Sequence, residues 1–588
     1  MKLNIFLPFL RREKGQPAPK PSALRKLLKR MGPVWHAAPL RRAIQTTMFL
    51  LFLWLFFHVA WPYGGPHDQF GAYRASKEHV HVKEEFFLAI DPLLSISTFL
   101  AAKAWVWSLV WAGGILIACV LFPRGFCGYL CPLGTLIDFF DWAVGKRVKR
   151  FRVKRDGWWV NLKYYILAGV LVSSVCGVLL SGFVAAIPVI TRGFEYIATP
   201  FCVAYQKGWH DVPPVTWGQG LSIALFLGVL GLGFLRPRFW CKYVCPSGAV
   251  FSSFNLFRVG ERKVESSCIH CNRCIEICPF DAIKADYTTR TSECTLCQSC
   301  GGVCPTHAIK FVDRWNVWDL KKVNDPPVHE QALSRRGFLT ASLAATATAF
   351  AFGDHTLPAL LGHKPIAPLR PPGSVPEPQF LNQCIRCGEC FQVCPNNVLQ
   401  PMRLKDGFRN WWTPQMSPDW AGCEPSCNNC GQACPTGAIR ALPLEEKKVA
   451  KIGLAWVNQQ TCLPWAGKSD CDLCHTACAE AGYNAIEYLA INPQLDENGY
   501  PIDGTGNQGV TVRPDLCVGC GLCQERCNAI NVTADHKLKQ SAIVVTTQNQ
   551  DRLASGSYLA RRKAEAAQAA AQSRYQFTMP GDAGAGPG

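Results

Sequence analysis

Cysteine spacing is the feature that most restricts what this chain can fold into. Of its 31 cysteines, 24 fall into six groups of four, and most neighbouring cysteines within a group are separated by two or three residues. Disulfides are the first explanation to consider for cysteine-rich segments outside the cytoplasm. Such close, repeated spacing is instead typical of thiolates that bind iron–sulfur clusters. The pattern therefore predicts several cluster-binding domains.

Two of the groups have the bacterial ferredoxin spacing C-x2-C-x2-C-x3-C-P, in which the fourth cysteine binds the cluster of the other group. This rule assigns one 4Fe–4S cluster to Cys268, Cys271, Cys274 and Cys304. It assigns a second 4Fe–4S cluster to Cys294, Cys297, Cys300 and Cys278. Zinc is the alternative metal, but paired three-plus-one motifs disfavour it.

Four further groups lie nearer the C-terminus. They are Cys384, Cys387, Cys390 and Cys394; Cys423, Cys427, Cys430 and Cys434; Cys462, Cys471, Cys474 and Cys478; and Cys517, Cys520, Cys523 and Cys527. Sixteen ligands imply four clusters, which makes six 4Fe–4S clusters in all. Only the first of these groups keeps the full ferredoxin signature, so the spacing leaves open which distant cysteine completes which cluster.

Four apolar spans stand out in the N-terminal half, at roughly 44–62, 98–122, 165–190 and 219–235. Each approaches or exceeds the ~20 residues that a helix needs to cross a bilayer. The first 42 residues hold eleven Lys/Arg and one acidic residue, and a second basic segment follows the second span. The positive-inside rule then places the N-terminus in the cytoplasm. We favour this interpretation of the net charge of +19 over nucleic-acid binding; buried helices of a soluble core are the alternative for the spans.

Two related segments, PRGFCGYLCP at 123–132 and PRFWCKYVCP at 237–246, follow the second and fourth spans. Two helices plus one such segment form a direct repeat, so Cys127, Cys131, Cys241 and Cys245 are predicted to lie on one side of the membrane. Cysteines four apart share a helix face, and an arginine three residues earlier favours thiolates. We predict redox-active thiols or an additional metal or cluster here. A structural role at a helix junction is the alternative.

The stretch LSRRGFLTASLAATATAFAFG, from Leu333, is typical of a twin-arginine export signal. An accidental arginine pair before a fifth apolar helix is the alternative, and in both cases the following part is predicted to lie outside. Residues 362–379 are rich in proline and predict a stiff, extended linker. The chain ends in a predicted exposed helix and a disordered tail.

The predicted fold class is a membrane α-helical protein, with a four-helix domain and a fifth signal or anchor helix, carrying two α+β bacterial-ferredoxin-like iron–sulfur domains. The predicted boundaries are 1–43 for a basic cytoplasmic arm, 44–255 for the membrane domain, 256–312 for a cytoplasmic two-cluster ferredoxin domain, 313–379 for the signal helix and linker, 380–545 for a periplasmic four-cluster ferredoxin domain and 546–588 for the tail.

The sequence contains no nucleotide-binding glycine motif and no convincing Ser/His/Asp set, which favours electron transfer over substrate conversion.

Residues 40–312 resemble the NapH family of quinol-dehydrogenase membrane proteins, through the four helices, Asp91-Pro92, the two C-x-x-x-C-P segments and the paired ferredoxin motifs. Residues 333–545 resemble the NapG/MauM family, through SRRGFL, CNNCGQACPTGAI, CDLCHTAC and CVGCGLCQERC. The chain looks like a fusion of the two. The resemblance implies oxidation of menaquinol or ubiquinol and delivery of electrons to a periplasmic cytochrome or a terminal reductase such as nitrate reductase. A quinol site requires a protonatable group beside an apolar cleft. His58 and Asp91 are the candidates, and a structural role is the alternative for each.

We therefore expect a quinol dehydrogenase in the bacterial inner membrane, with five transmembrane helices, a cytoplasmic N-terminus and a periplasmic C-terminal domain. Its expected partners are the membrane, quinol and a periplasmic cytochrome or reductase, with no nucleic acid. The alternative function is an accessory maturation or reactivation factor, which uses the C-x-x-x-C-P thiols to reduce a metal or cofactor of another respiratory enzyme. The electron route across the membrane is left open by the sequence.

Overall fold

The computed structural model describes residues 37–60, 85–144, 153–154, 157–314, 339–340, 343, 367–491, 493–494, 496–498, 502 and 505–576. The chain divides into two compact units. The first contains residues 1–58, 82–197 and 220–356, and the second contains residues 59–81, 198–219 and 357–588. Most of the predicted N-terminal arm, the arginine pair of the export signal, most of the fifth helix and the end of the tail lie outside the described residues.

Residues 37–257 are almost entirely helical where they are described. The α-helices are Pro39–Ala60, Phe86–Ala89, Pro92–Ala102, Ser108–Leu121, Pro132–Ala143, Leu162–Val175, Ser181–Val184, Ala186–Lys207, Trp217–Gly231 and Pro246–Phe254. Two π-helical turns are Phe126–Leu130 and Trp240–Val244, and 3-10 turns are Trp158–Asn161, Trp209–Asp211, Leu232–Phe234 and Asn255–Phe257.

Two of the four predicted spans are long helices. In the described part of the chain, Pro39–His58 and Trp217–Phe234 have the length and apolar composition needed to cross a bilayer. The helices Pro92–Ala102, Ser108–Leu121 and Trp159–Val175 are apolar but shorter. Two long apolar helices are weak support for a membrane protein, because core helices of soluble proteins share the same length and composition.

The prediction of one continuous helix over 98–122 is wrong. The helix Pro92–Ala102 ends at Lys103, whose backbone is left-handed with a φ of 51° and whose N–H donates to the Phe99 carbonyl oxygen at 2.9 Å. A left-handed residue at this position closes a helix, because it turns the chain away from the helix axis. The next helix begins only at Ser108. The predicted span is therefore divided between two short helices.

The predicted span 165–190 is interrupted as well. Its first helix ends at Val175, and Gly177 follows with a φ of 77° and donates to the Ser174 carbonyl oxygen at 2.9 Å. Glycine takes this conformation without a side-chain clash, so it marks helix ends. The short helix Ser181–Val184 and the long helix Ala186–Lys207 complete the segment.

Buried polar side chains satisfy the backbone groups that these interruptions expose. Arg192 is fully buried, and its guanidinium donates to the Gly182 carbonyl oxygen at 2.5 Å. The hydroxyl groups of Ser97 and Ser181 lie 2.7 Å apart and connect two of the short helices. Broken helices in an apolar environment require such internal partners, because no water is available to replace the lost hydrogen bonds.

Residues 260–313 form a small α+β module, as predicted. The strands Gly260–Val264 and Ile309–Asp313 pair antiparallel, with Gly260 opposite Asp313. Two short helices, Arg273–Ile277 and Ser299–Val303, lie between the strands in sequence and each contains one or more cysteines of a ferredoxin motif. The module thus begins and ends in one sheet, which holds the two motifs together.

The C-terminal unit is also α+β. Its α-helices are Glu377–Gln383, Glu389–Gln392, Asn429–Gln432, Leu444–Val449, Leu473–Glu480, Leu522–Cys527 and Tyr558–Gln576, with a 3-10 turn at Leu404–Asp406 and a π-helical turn at Asn528–Ala534. Three antiparallel pairs of strands are Leu399–Pro401 with Pro414–Met416, Leu454–Val457 with Ile543–Thr546, and Ile486–Ile491 with Asn507–Val512. Tyr558, at the start of the last helix, is fully buried.

The proline-rich segment 367–379 packs on this unit, where the sequence predicted an extended linker. Arg370 is 1% exposed, and its guanidinium contacts the Glu377 carboxylate at 2.5 Å and the Pro414 carbonyl oxygen at 2.6 Å. The same guanidinium lies 4.5 Å from the centroid of the Phe380 ring. A planar guanidinium with five donors can fix several groups at once, so one arginine anchors the segment.

We expect Glu377→Ala to destabilise the C-terminal unit by about 3 kcal/mol. The carboxylate also pairs with Arg552, so its removal leaves two arginines in and near the core without their counter-charge. The measurement is denaturant unfolding of the full chain, followed by tryptophan fluorescence.

The matched control is Glu487→Ala. Glu487 pairs with Arg513, but both side chains are about half exposed, so its loss should change the free energy of unfolding by less than about 0.5 kcal/mol. Equal effects of the two substitutions would contradict the anchoring role of Arg370 and Glu377.

Candidate metal centres

The ferredoxin module at 260–313 contains two cavities lined by cysteines, of about 350 and 340 Å³. The first is lined by Cys268, Cys271, Cys274 and Cys304. The second, called here the Cys278 cavity, is lined by Cys278, Cys294, Cys297 and Cys300. Each cavity takes three cysteines from one motif and the fourth from the other. The structure therefore brings together the two sets of four that the spacing predicts.

Left-handed residues between the cysteines bend each motif around its cavity. His270 and Asn272 flank the second cysteine of the first motif, with φ of 54° and 62°. Leu296 and Gln298 occupy the same positions in the second motif, with φ of 46° and 61°. Alternating backbone conformations of this kind turn successive N–H groups inward and form a nest for an anionic group. The backbone therefore suits the negative sulfur atoms of a cluster.

The fourth cysteine of each motif stands at a helix end in an extended conformation. Cys278 has φ −65° and ψ 113°, and Cys304 has φ −72° and ψ 115°. The following proline favours this geometry, because it excludes the residue before it from the helical region. The Cys278 Sγ also accepts a hydrogen bond from the Ala282 N–H at 3.3 Å.

The C-terminal unit follows the same crosswise rule. One cavity is lined by Cys384, Cys387, Cys390 and Cys434, and another by Cys462, Cys471, Cys474 and Cys527. The other thiols interact electrostatically in two sets, one of Cys394, Cys423, Cys427 and Cys430, the other of Cys478, Cys517, Cys520 and Cys523. The grouping that the spacing left open is thus visible in the fold.

The four quartets of the C-terminal unit follow one another in a single order. The Cys384 and Cys423 quartets exchange cysteines, and so do the Cys520 and Cys462 quartets. The two pairs meet where the Cys423 N–H donates to the Cys520 carbonyl oxygen at 2.8 Å. In space, the set that contains Cys384 is therefore followed by the sets that contain Cys423, Cys520 and Cys462, in that order.

The donor sets suit a multi-iron cluster. All 31 cysteines lie in the described part of the chain, and none forms a disulfide. Among the described residues, no three His, Cys, Asp or Glu side chains are arranged to hold a single metal ion. A tetrahedral zinc site needs its four ligands around one ion, whereas a four-iron cluster places them on separate irons.

Burial raises the pKa of the thiols that line these cavities. The pKa of Cys278 rises to about 11 and that of Cys294 to about 12, because a thiolate loses its hydration when it is buried. Ligation requires the thiolate form, so a bound metal cluster supplies the positive charge that the protein interior lacks.

The four cysteines of the two C-x-x-x-C-P segments also come together. Electrostatic interactions connect all six pairs among Cys127, Cys131, Cys241 and Cys245. Cys131 and Cys245 are 8% and 5% exposed. We call this group the four-cysteine site. Its two halves come from segments more than 100 residues apart, as the direct repeat predicts.

The ferredoxin module packs directly against the four-cysteine site. Phe280 is 2% exposed and lies between two guanidinium groups, with its ring centroid 5.1 Å from Arg124 and 4.6 Å from Arg238. Arg124 pairs with Glu293 of the module, and Arg238 pairs with Asp138. Stacking of a desolvated cation on an aromatic ring is stabilising, so Phe280 connects the two regions.

A second ion-pair group holds the same interface. The Asp281 carboxylate lies 2.5 Å from both Arg236 and Lys242. Burial raises the pKa of this carboxyl, but the charge of Lys242 and the hydrogen bonds from Arg236 outweigh burial and lower the pKa to about 2. The pair therefore stabilises the fold above the usual carboxyl pKa near 4, and this contribution is lost as the pH falls toward 2.

The two quinol-site candidates lie in different places. His58 stacks on Trp54 of its own helix, with ring centroids 5.1 Å apart. Asp91 is fully buried, and its carboxylate accepts hydrogen bonds from the Leu93 N–H and the Ser247 hydroxyl, each at 3.0 Å. Because Ser247 follows the second C-x-x-x-C-P segment, the structure brings Asp91 to the edge of the four-cysteine site.

Sequence reasoning missed three residues that join the ferredoxin module to the helices, namely Phe280, Asp281 and Glu293. A signal was present, because all three lie next to motif cysteines and the first two follow the Cys-Pro dipeptide directly. It also missed Asp138, an acidic residue in an apolar helix, which is a position that usually marks a specific partner.

Comparison with known families gives matches over both cysteine-rich regions. A family described as a 4Fe-4S binding domain matches residues 104–152 and 219–265, which contain the four-cysteine site. Another 4Fe-4S binding domain family matches residues 262–284. A 4Fe-4S dicluster domain family matches residues 383–438. The chain therefore contains several ferredoxin-type iron–sulfur domains.

Individual proteins resemble part of the chain. The methylamine utilization ferredoxin-type protein MauM of Methylophilus methylotrophus is 34% identical over 165 residues, which are 27% of this chain and 66% of MauM. The ferredoxin-type protein NapG of Escherichia coli is 34% identical over 27% of this chain and 65% of NapG. MauM of Methylorubrum extorquens is 34% identical over 166 residues, 27% of this chain and 67% of that protein.

The chain thus spans slightly less than two thirds of the length of the first two of these relatives. No solved structure matches the chain. Over the 27% of its length that the matches cover, the chain belongs to the family of the MauM and NapG ferredoxin-type proteins.

Proposed function

We propose that this protein is a membrane-bound quinol dehydrogenase that passes electrons through several 4Fe–4S clusters to a periplasmic redox partner. The observation that carries the proposal is the single order of four cysteine quartets in the C-terminal unit, joined at Cys423 and Cys520. Cofactor sites that lie in a row, and that take cysteines from each other's motifs, can pass electrons from one site to the next. A periplasmic cytochrome, or a terminal reductase such as nitrate reductase, is the proposed acceptor.

The 24 cysteines of the six ferredoxin-type groups are the proposed ligands. Bound 4Fe–4S clusters supply one-electron redox chemistry, with potentials set by hydrogen bonds, charge and exposure. The protein contributes buried thiols, inward-facing N–H groups and hydrogen bonds to sulfur. Examples of these bonds are those from the Ala485 N–H to Cys478 at 3.2 Å and from the Ile439 N–H to Cys434 at 3.5 Å.

The proposed location is the bacterial inner membrane, with a NapH-like N-terminal region fused to the NapG/MauM-like region. The support is the two long apolar helices, the basic residues that flank the apolar spans and the export signal expected at Arg335 and Arg336. We propose five membrane crossings, two of them made by the interrupted segments 98–122 and 165–190, with the N-terminus in the cytoplasm and the C-terminal domain in the periplasm.

Asp91 is the proposed proton acceptor for quinol. Its carboxylate is buried between the helix Pro92–Ala102, which it caps, and Ser247. Oxidation of one quinol releases two protons and two electrons. The Asp91 carboxylate can take one proton as an electron leaves, and it must pass that proton on before it takes the second. His58, in the last turn of the helix Pro39–Ala60, is the proposed second protonatable group.

We expect cysteines that share a cavity to affect the same cluster, even when they are far apart in sequence. Cys527→Ser and Cys474→Ser should remove the same signal from the electron paramagnetic resonance (EPR) spectrum of the reduced protein. Cys478→Ser and Cys523→Ser should both remove a different one. If Cys527→Ser instead removes the signal that Cys523→Ser removes, the crosswise arrangement is wrong.

We expect menaquinol or ubiquinol to bleach the visible absorbance of the clusters in membranes that contain the full chain. Asp91→Asn should slow this reduction by about 100-fold, the usual effect of losing a positioned base, because the amide keeps the helix cap but cannot accept the proton. Asp286→Asn, at an exposed turn of the ferredoxin module, is the control and should be reduced at the wild-type rate.

Two results are decisive here. If no quinol reduces the wild-type protein, the proposed quinol dehydrogenase function is wrong. If the Asp91 variant is reduced at the wild-type rate, only the role of Asp91 is wrong.

A further inference from the structure

The two C-x-x-x-C-P segments fold as matching halves of one site. Each forms a π-helical turn, Phe126–Leu130 or Trp240–Val244, and each then places a cysteine at the start of a new helix. Cys131 has φ −65° and ψ 116°, and Cys245 has φ −62° and ψ 115°. These values match those of Cys278 in the ferredoxin module, −65° and 113°. Cys131 and Cys245 thus have the same backbone geometry as Cys278, a proposed cluster ligand that also precedes a proline.

The matching cysteines also accept the same type of hydrogen bond. The Gly134 N–H donates to the Cys131 Sγ, and the Gly248 N–H donates to the Cys245 Sγ, both at 3.4 Å. In the ferredoxin module the Cys278 Sγ accepts such a bond too. Hydrogen bonds to sulfur stabilise the thiolate and adjust the potential of a bound cluster.

The two halves are held together by arginines that cross between them. Arg124 precedes the first pair of cysteines, but its guanidinium donates to the Cys241 carbonyl oxygen of the second half at 3.4 Å. Arg238 precedes the second pair, and its guanidinium donates to the Cys127 carbonyl oxygen of the first half at 3.3 Å. Both arginines have a positive φ, 48° and 55°. This reciprocal arrangement makes a single site out of two repeats.

Positive charge is in excess around the four thiols. The ion-pair networks of the two arginines contain five cations, which are Arg41, Arg42, Arg124, Lys163 and Arg238. They share two carboxylates, Asp138 and Glu293. Asp91 adds one negative charge near the thiols, and the buried Asp141 carboxylate, which accepts from the Arg238 N–H at 2.7 Å, adds another. Five cations therefore face four carboxylates, and an excess of one cation remains. A buried charge needs a counter-charge, and a cluster held by four thiolates is an anion.

The Cys278 cavity lies next to the four-cysteine site. A methyl group added at Gly128, beside Cys127, would lie 3.3 Å from the Thr295 side chain, beside Cys294. Tyr129 interacts electrostatically with Cys294 and Cys297. Phe280, which lines the same cavity, is the ring held between the two crossing arginines. The two sites are thus neighbours, with the Thr295 side chain packed close to the Gly128 backbone.

We propose that Cys127, Cys131, Cys241 and Cys245 together hold one further 4Fe–4S cluster, shared by the two repeats, and that it exchanges electrons with the cluster of the Cys278 cavity. Each exchange moves one electron, so that one cluster is oxidised while the other is reduced, and no proton moves. The proposal rests on the proposed function only for the iron–sulfur chemistry of the ferredoxin module. It does not require that quinol is the electron donor.

The first test counts iron and acid-labile sulfide in the full-length protein purified without oxygen. A shared cluster predicts that Cys131→Ser and Cys245→Ser each lose about four irons per chain, and that the double variant loses no more than either single one. Two separate sites, one for each repeat, would make the losses add. Unchanged iron in both variants would show that the thiols bind no cluster. Either of these last two outcomes overturns the proposal.

Cys176→Ser is the matched control, because Cys176 is exposed and lies outside both C-x-x-x-C-P segments. It should keep all its iron. The wild-type protein gives a second measurement that does not depend on any variant folding correctly. Seven clusters correspond to about 28 irons per chain and six clusters to about 24. A wild-type value of 24 would overturn the proposal.

The second test addresses the electron exchange and uses dithionite as reductant, so failure of quinol oxidation does not affect it. Two neighbouring paramagnetic clusters broaden each other's EPR signals. We expect the signal that Cys300→Ser abolishes, which belongs to the Cys278 cavity, to become narrower in Cys131→Ser and to keep its width in Cys176→Ser. An unchanged line width in a Cys131 variant that has lost four irons would contradict the exchange.

Discussion

The buried contact of Arg124 and Arg238 with Phe280 is the interaction on which the N-terminal unit depends. It stacks one ring of the ferredoxin module between two guanidinium groups, and each guanidinium also pairs with a carboxylate and reaches across to the other repeat. Charges this deeply buried are costly unless every partner is present. The same set of contacts therefore joins the helices, the ferredoxin module and the four-cysteine site.

Much of the candidate site follows from local sequence. The ferredoxin spacing predicts that Cys278 and Cys304 each join the cysteines of the other motif. The left-handed residues and the Cys-Pro dipeptides are local features, and they fix the backbone around each cavity. The convergence of Cys127 and Cys241 is predictable for a different reason. A repeated pair of helices returns the chain to the same side, so the duplicated segments are expected on one side. The crossing contacts of Arg124 and Arg238 then bring them together.

Other features depend on contacts that no local pattern reveals. Lys103 takes a left-handed conformation that hydropathy does not register, and it interrupts an apolar run that hydropathy alone presents as one helix. The segment around Arg370 has the composition of a linker, but one buried guanidinium attaches it to the C-terminal unit. The grouping of Cys394 with Cys423 likewise could not be predicted from sequence, because the irregular spacing of the later motifs is compatible with several groupings.

The hydrogen bond between Cys423 and Cys520 has a consequence for how the molecule is made. The two residues are almost 100 positions apart, so the ribosome must synthesise nearly the whole chain before this junction can close. Closing so long a loop is slow in comparison with forming the local motifs on either side. The junction therefore forms late, after the motifs on both sides of it have been synthesised, and the electron path proposed for the C-terminal unit is complete only then.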